Sequence, residues 1–298
     1  MSFRSIIIAN PANLSVKNNN LIINSEEVAI PIEDISVLVI ESTAVKLTSK
    51  LLSSLSENSV ATVICDDTHL PISTVLPLNV HYKTYKVLKM QLDQSAAYSK
   101  RIWQRIIRQK LYNQAQCLDI LAKEGVPFLR KLSDDVESGD RGNREAIGAK
   151  AYFKYLYGEK FSRGNKDVIN AALNYGYTII RSAVARSLVM YGFNTTLGVH
   201  HCNEYNGFNL ADDFIEPFRP IVDLWVSINI GDDEDLTKEN RIDLVNLLNY
   251  EMLIDDKNHS VLNAIDKMVS SYTAACNKKD FRLLKVPTLK PLEYHFYE

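Results

Sequence analysis

The chain has 298 residues, 46% of them hydrophobic and 23% charged, with a formal net charge of -2. That balance suits a soluble globular protein with room for one large or two ordinary domains, and it excludes a bulk polycation, so any nucleic-acid surface must be local. No apolar run approaches the ~20 residues that span a bilayer, and no membrane partner is expected.

The first part of the chain reads as short β-branched strands over 5–9, 14–17, 21–24, 27–31 and 35–40, with Asn-rich turns such as Lys17–Asn20 between them. A helical pattern follows over Thr43–Leu55, with Val45, Leu47, Leu51, Leu52 and Leu55 on its apolar face, and then a strand over Val60–Cys65. The dipeptides Leu70-Pro71 and Leu76-Pro77 mark the exit of this β-rich unit near Leu78. From about Lys83 the periodicity turns helical. Helices are expected over Tyr82–Lys123 with one break, Asp140–Tyr157, Lys166–Tyr191, Leu210–Ile215, Pro217–Ile230, Lys238–Glu251 and His259–Cys276. Gly192 stands where a helix-terminating glycine belongs, and Asp140 where an N-cap belongs. The segment 283–298, with Pro287 and Pro291, reads as an extended tail. The expected fold is α+β: a β-sandwich-like domain over 1–78, a larger all-α catalytic domain over 79–282, and the tail.

The cysteines Cys65, Cys117, Cys202 and Cys276 form no CxxC pair. This argues against a zinc ribbon or a disulfide framework and suits a reducing cytoplasm, where the protein is expected. The start of the chain lacks the apolar length of a secretory signal.

Four features carry chemistry. In Asp212-Asp213-Phe-Ile-Glu216, helical spacing puts Asp213 and Glu216 on one face, and Pro217 disfavours ordinary helical geometry at Glu216. A carboxylate at such a kink can project into a cleft; the same acids could equally favour a solvated helix start. The pair His200-His201 lies just upstream, and clustered acids and imidazoles suit a divalent metal, although a single histidine is more often structural. In Asn143-Arg-Glu-Ala-Ile-Gly-Ala-Lys-Ala-Tyr-Phe153, Glu145 shares a stripe with Gly148 or Ala149 and Tyr152, and small residues there admit another element or a phosphate. An exposed glutamate on an amphipathic helix is the plain alternative. The stretch 83–110 carries Lys83, Lys86, Lys89, Lys100, Arg101, Arg105, Arg108 and Lys110 against the single acid Asp93, with Tyr82, Tyr85, Tyr98 and Trp103 interleaved. Arg101, Arg105 and Arg108 share a helical face that can follow a phosphate backbone. The alternative is a solvated face, though such faces usually mix signs.

Together, the glutamate block at 143–153, Gly192-Phe-Asn-Thr-Thr-Leu-Gly-Val-His-His201, and Asn209-Leu-Ala-Asp-Asp-Phe-Ile-Glu-Pro-Phe-Arg-Pro-Ile-Val-Asp223 resemble the CRISPR-associated endonuclease/integrase family, protein one of the spacer-acquisition machinery. The resemblance covers essentially the whole chain and is strongest to members from type II systems. It implies Glu145, His201 and Glu216 as catalytic metal ligands for Mg2+ or Mn2+, with His200 as the competing histidine and Asp213 as an accessory acid. It also implies a DNA integrase that joins the 3′-hydroxyl ends of captured DNA to a CRISPR repeat by transesterification. Lys83, Lys86, Arg101, Arg105, Arg108, Lys150 and Arg219 are the expected DNA-binding side chains. The implied partners are double-stranded DNA, a second copy bound through the β-rich domain, and a small ferredoxin-like companion subunit in a heterohexamer. Type II systems add the effector nuclease and a DNA-end-binding ring protein. The alternatives are a non-integrating metal-dependent nuclease and a non-catalytic DNA-binding subunit.

Overall fold

Strands open the chain where the β-branched runs place them: β1 (Arg4–Ile8), β2 (Asn13–Lys17), β3 (Asn20–Ile23), β4 (Val28–Pro31) and β5 (Ile35–Ile40). The structure is a computed structural model and describes residues 4–24, 28–77, 83–231 and 235–296. The expected strand start at Glu27, the domain border at Leu78 and the helix start at Tyr82 lie outside these residues. Asn18 and Asn19 have φ of 50° and 59°, the backbone of a tight two-residue hairpin between β2 and β3.

The first helix starts later than its periodicity predicts. β6 (Lys46–Leu47) pairs in parallel with β2, and α1 occupies Ser49–Glu57. Thr48 fixes that start, its Oγ1 accepting from the Leu51 N–H at 3.2 Å. β7 (Ala61–Cys65) is followed by β8 (Pro71–Val75), a strand where the sequence indicated only an exit. Pro71 is tolerated there because it opens an edge strand.

These strands form two sheets, β1-β5-β7-β8 and β4-β3-β2-β6. Every residue of β5 is buried. Leu38 and Ile40 pack with Leu14, Leu21 and Leu51, whereas Val37 and Val39 join the core of the helical part. The alternation of a strand thus serves two cores, and the outer face of the first sheet is covered by helices. Buried Glu41 ties the two parts together: its Oε1 accepts from Tyr175 Oη at 2.7 Å and Arg241 Nε at 2.9 Å.

The helices that follow are α2 (Thr84–Leu92), α3 (Ala96–Ile120), α4 (Val126–Asp134), α5 (Arg144–Tyr157), α6 (Val168–Met190), α7 (Asn209–Ile215), α8 (Arg219–Asn229), α9 (Lys238–Asn246) and α10 (Val261–Lys278). The expected break separates α2 from α3, where Ser95 Oγ accepts from the Tyr98 N–H. α4 was not expected. Gly192 (φ 83°) ends α6 as the sequence indicated, with Phe193 N–H donating back to Leu188 O at 2.9 Å.

The helical part is not all-α. β9 (Tyr250–Ile254), β10 (Lys257–Ser260) and β11 (Thr288–Tyr294) form an antiparallel sheet in the order β10-β9-β11. Asp255 and Asp256, both at φ 58°, make the hairpin turn. The helix expected to run to Glu251 therefore stops at Asn246, and the one expected from His259 begins at Val261 behind the Ser260 cap. The tail supplies β11, anchored on β9 through the pairs Thr288–Leu253 and Leu289–Met252. No helix among the described residues is long and apolar enough to cross a membrane.

Candidate active site

Glu145 sits in the first turn of α5. Asn143 occupies the N-cap position without capping, and Asp140 supplies the acceptors instead, taking the Arg144 and Glu145 N–H groups at 2.9 and 3.0 Å. Gly148, one turn further on, is where α3 crosses: a Cβ there would stand 2.2 Å from Leu111 Cδ2. The small residue beside the glutamate thus admits a helix. The crossing brings Lys110 of α3 to Glu145, with Nζ 2.8 Å from Oε1.

Glu216 arrives from another direction. α7 ends at Ile215, Glu216–Phe218 form a tight helical turn, and α8 starts at Arg219. The Pro217 carbonyl accepts from Asn113 Nδ2 at 2.7 Å, and the same amide holds Pro287 O and the Leu289 N–H, so α3 and the tail both brace the kink. Glu216 is only 4% exposed. Its Oε1 takes Arg219 Nε at 2.9 Å, and its Oε2 lies 2.5 Å from Lys110 Nζ without an aligned hydrogen bond. Burial alone would raise the carboxyl pKa, but the Arg219 and Lys110 cations lower it to about 2. For Lys110, burial opposes the charged form, and Glu216 and Glu145 outweigh it, leaving the pKa above the ordinary lysine value.

The histidine loop is organised by Asp213. This fully buried carboxylate accepts from the Val199, His200 and His201 N–H groups at 2.6, 3.1 and 3.1 Å, and lies 2.7 Å from His201 Nδ1. Gly198 makes the close approach feasible: a Cβ there would meet the His201 carbonyl oxygen at 2.2 Å and Asp213 Oδ2 at 2.8 Å. An ionised carboxylate only accepts, so Nδ1 carries the proton and Nε2 of the neutral ring keeps a lone pair. The Asp213 hydrogen bond raises the His201 pKa against the effect of burial, with the charges of Asp213, Glu216 and Asp212 adding to it. Both rings meet Trp103: His200 stacks on it, with centroids 4.2 Å apart and planes 3° from parallel, and His201 meets its edge at 5.7 Å, the two imidazoles lying 5.5 Å apart.

Glu145 and Glu216 therefore meet at one ammonium, with His201 within the electrostatic reach of Glu216. The described residues contain no ready-made group of three or more His, Cys, Asp or Glu side chains around one metal position. The donor set nonetheless fits a divalent cation: two carboxylates around a positive charge, an oxygen with no aligned hydrogen bond, and an imidazole whose other nitrogen is fixed by a carboxylate.

The basic residues divide. Lys86, Arg101, Arg108 and Lys150 are exposed. Arg101 Nη1 donates to Gln104 and Arg108 pairs with Asp134 at 3.4 Å. Lys83 is exposed just before α2. Arg105 is half-buried, its Nε donating to Leu284 O at 2.5 Å, so the expected stripe has two outward members and one structural one. Arg219 points inward: paired with Glu216, its guanidinium lies 4.6 Å from the Tyr177 ring centroid.

Sequence reasoning missed three residues here. Lys110 is an ordinary member of a basic stretch until the α3–α5 crossing is known. Asn113 resembles any helical asparagine. Buried Asp223 accepts from Tyr152 Oη at 3.0 Å and from Tyr177 Oη, and burial raises its pKa to about 6 despite those bonds. A cavity of about 220 Å³ lies between Lys110 and Asp223, its lining including Arg163, Tyr177, Glu216 and Arg219.

Comparison with known proteins gives a consistent result. Residues 6–241 match the family described as CRISPR associated protein Cas1. The chain is 42% identical over 305 aligned positions to a CRISPR-associated endonuclease Cas1 from Neisseria meningitidis serogroup C (strain 8013), covering 100% of both chains. Among solved structures, a casposase bound to its integration product superposes with a TM-score of 0.74 at 20% identity, over 94% of this chain and 93% of that one. A chain of a Cas6-RT-Cas1–Cas2 complex gives a TM-score of 0.74 at 19% identity, over 97% of this chain but 36% of that longer one. These last two likenesses are of fold.

Proposed function

The chain belongs to the CRISPR-associated Cas1 family, and on that premise we propose that it is a metal-dependent DNA integrase and endonuclease of spacer acquisition. The observation that carries the reading is the convergence of Glu145 and Glu216, from separate helices, on one buried cation, beside a histidine whose Nδ1 is bound to Asp213.

In this reading Glu145, Glu216 and Nε2 of His201 would hold Mg2+ or Mn2+. What the bound ion supplies is polarisation of the phosphodiester and stabilisation of charge on the attacking and leaving oxygens. The protein's own groups do the rest. Asp213 fixes the tautomer and orientation of His201. Arg219 keeps Glu216 ionised and turned inward. The 3′-hydroxyl of a captured DNA end attacks a phosphodiester of the repeat; one P–O bond forms as that hydroxyl gives up its proton to solvent, the bond to the displaced 3′ oxygen breaks, and the displaced oxygen takes up a proton from solvent, so the step is balanced. Arg101 and Arg108, with Lys83, Lys86 and Lys150, provide phosphate contacts along the duplex.

Residues 1–78 act as the dimerisation domain, 79–282 as the catalytic domain, and 283–298 as a tail that braces it. The companion is the small ferredoxin-like subunit; the Cas1–Cas2 complex among the fold relatives supports this partnership. The effector nuclease and the DNA-end-binding ring protein complete the proposed set.

The test is strand transfer of a labelled duplex with free 3′ ends into a repeat-bearing plasmid, with the companion subunit and Mg2+ or Mn2+. Glu145→Gln, Glu216→Gln and His201→Ala should each abolish joining. Near wild-type joining in either glutamate variant overturns the assignment. Metal-dependent cleavage without joining by the wild type would make the protein a nuclease only.

A further inference from the structure

Lys110 is the most tightly held cation of the site, yet family membership alone assigns it no role. It projects from the middle of α3, its side chain is 9% exposed, and its Nζ lies 2.8 Å from Glu145 Oε1 and 2.5 Å from Glu216 Oε2. We infer that the Lys110 ammonium is the built-in counter-ion of the Glu145–Glu216 pair: it fills the place between them that a divalent cation takes, and withdraws when that cation binds. The inference rests on the metal-site reading above.

The argument is one of charge and space. Two carboxylates brought together from α5 and from the α7–α8 kink repel each other, and a buried one without a partner is strongly destabilising. In the metal-free protein Lys110 removes that penalty. Arg219 does not do so for both acids: its ion pair is with Glu216, and the cation that meets Glu145 is Lys110. Glu145 and Glu216 contribute -2 and Lys110 and Arg219 contribute +2, so this cluster is neutral before any metal enters. A divalent cation added with Lys110 in place would leave +2 in a largely buried site, which is opposed; with the ammonium withdrawn the excess halves. Lysine suits this task, being a compact charge on a flexible four-carbon stem. The adjoining cavity of about 220 Å³, which Lys110 itself lines, offers the stem room to move. Glu216 Oε2, in ionic contact with Lys110 but in no aligned hydrogen bond, is the acceptor such an exchange would free.

The experiment is calorimetric titration of the full-length protein with MnCl2, for the wild type, Lys110→Met and Glu145→Gln, together with thermal unfolding without metal. Lys110→Met should bind Mn2+ at least about tenfold more tightly than the wild type, because a cation a few ångströms from the metal is gone. Without metal it should melt lower, and Mn2+ should restore it. Unchanged or weaker Mn2+ binding by a folded Lys110→Met protein, where Glu145→Gln still weakens wild-type binding, overturns this inference and leaves the metal site standing. Wild-type binding that Glu145→Gln does not weaken removes the metal site and this inference with it. Should Lys110→Met not fold, wild-type crystals soaked in MnCl2 decide: Nζ beyond ~4 Å from Glu216 Oε2, the limit of an ion pair, supports the exchange, and Nζ still bridging both carboxylates beside the manganese peak overturns it.

Discussion

His201 Nδ1 lies 2.7 Å from Asp213 Oδ1, and the same buried carboxylate holds the backbone N–H groups of Val199, His200 and His201. One side chain thus sets both the path of the loop and the free nitrogen of the ring, while His200 is taken up by Trp103.

The first prediction follows from that division. His201→Ala should lose strand transfer by orders of magnitude and His200→Ala much less. Asp213→Asn should weaken Mn2+ binding about 10- to 100-fold, the usual effect of losing a group that orients a metal-binding histidine. Asp213→Ala should also lower stability, since it removes the acceptor shared by three part-buried backbone donors. Titration calorimetry and urea unfolding measure the two effects; equal losses in His200→Ala and His201→Ala would refute the division.

A pair of glycine variants tests the packing that assembles the site. Gly198→Ala places a Cβ against the backbone oxygen of His201, which cannot move without disturbing the Asp213 contacts. Stability and Mn2+ affinity should fall together. Gly148→Ala meets only the end of the Leu111 side chain. There the ~1 kcal/mol gain in helix propensity offsets part of an overpacking cost of about 1–3 kcal/mol. Urea midpoints should therefore fall much further for Gly198→Ala than for Gly148→Ala.

How much of this could be read from the sequence depends on the range of the interactions. The Asn18-Asn19 turn, the Gly192 helix end and the α2–α3 break rest on local chemistry and were legible. The Asp255-Asp256 hairpin is equally local, but most of it falls in the short gap 252–258 between two helical patterns, whose ends overrun the outer residues of both strands. Pro217 marked the kink that aims Glu216, and the small residues near Glu145 marked a close approach. That the approaching element is α3, carrying Lys110, is decided by the α3–α5 crossing, which no periodicity encodes. The basic stripe was read as one face, whereas Arg105 is drawn inward by a carbonyl 179 residues away.

That distinction gives a prediction for DNA binding. Reversing Arg101 and Arg108 to glutamate should weaken duplex binding and reduce the log–log salt slope by about one for each phosphate the protein no longer neutralises. Arg105→Ala should instead lower stability, because its guanidinium holds the segment at Leu284. Anisotropy titrations at several salt concentrations provide the slope; an unchanged slope in the double variant would place the stripe against solvent or protein.

The last prediction concerns Asp223, buried behind the site with Tyr152 and Tyr177 donating to it. Burial raises its pKa from an ordinary 3.8 to about 6. The folded protein therefore binds this proton more tightly than the unfolded chain does. The associated stability is fully present below the unfolded value and is lost as pH rises through the folded one. Asp223→Asn removes the titration and keeps one of the two oxygens to which Tyr152 and Tyr177 separately donate. Its stability relative to the wild type should therefore improve between pH 4.5 and 7.5, whatever its absolute value. Groups remote from Asp223 are common to both proteins and cancel in the difference, and its coupled neighbours Tyr152, Tyr177 and Arg219 titrate above this window. Urea unfolding of the two proteins at matched pH values measures it, and a difference that stays flat across this window would mean that Asp223 is already ionised in the fold at pH 4.5.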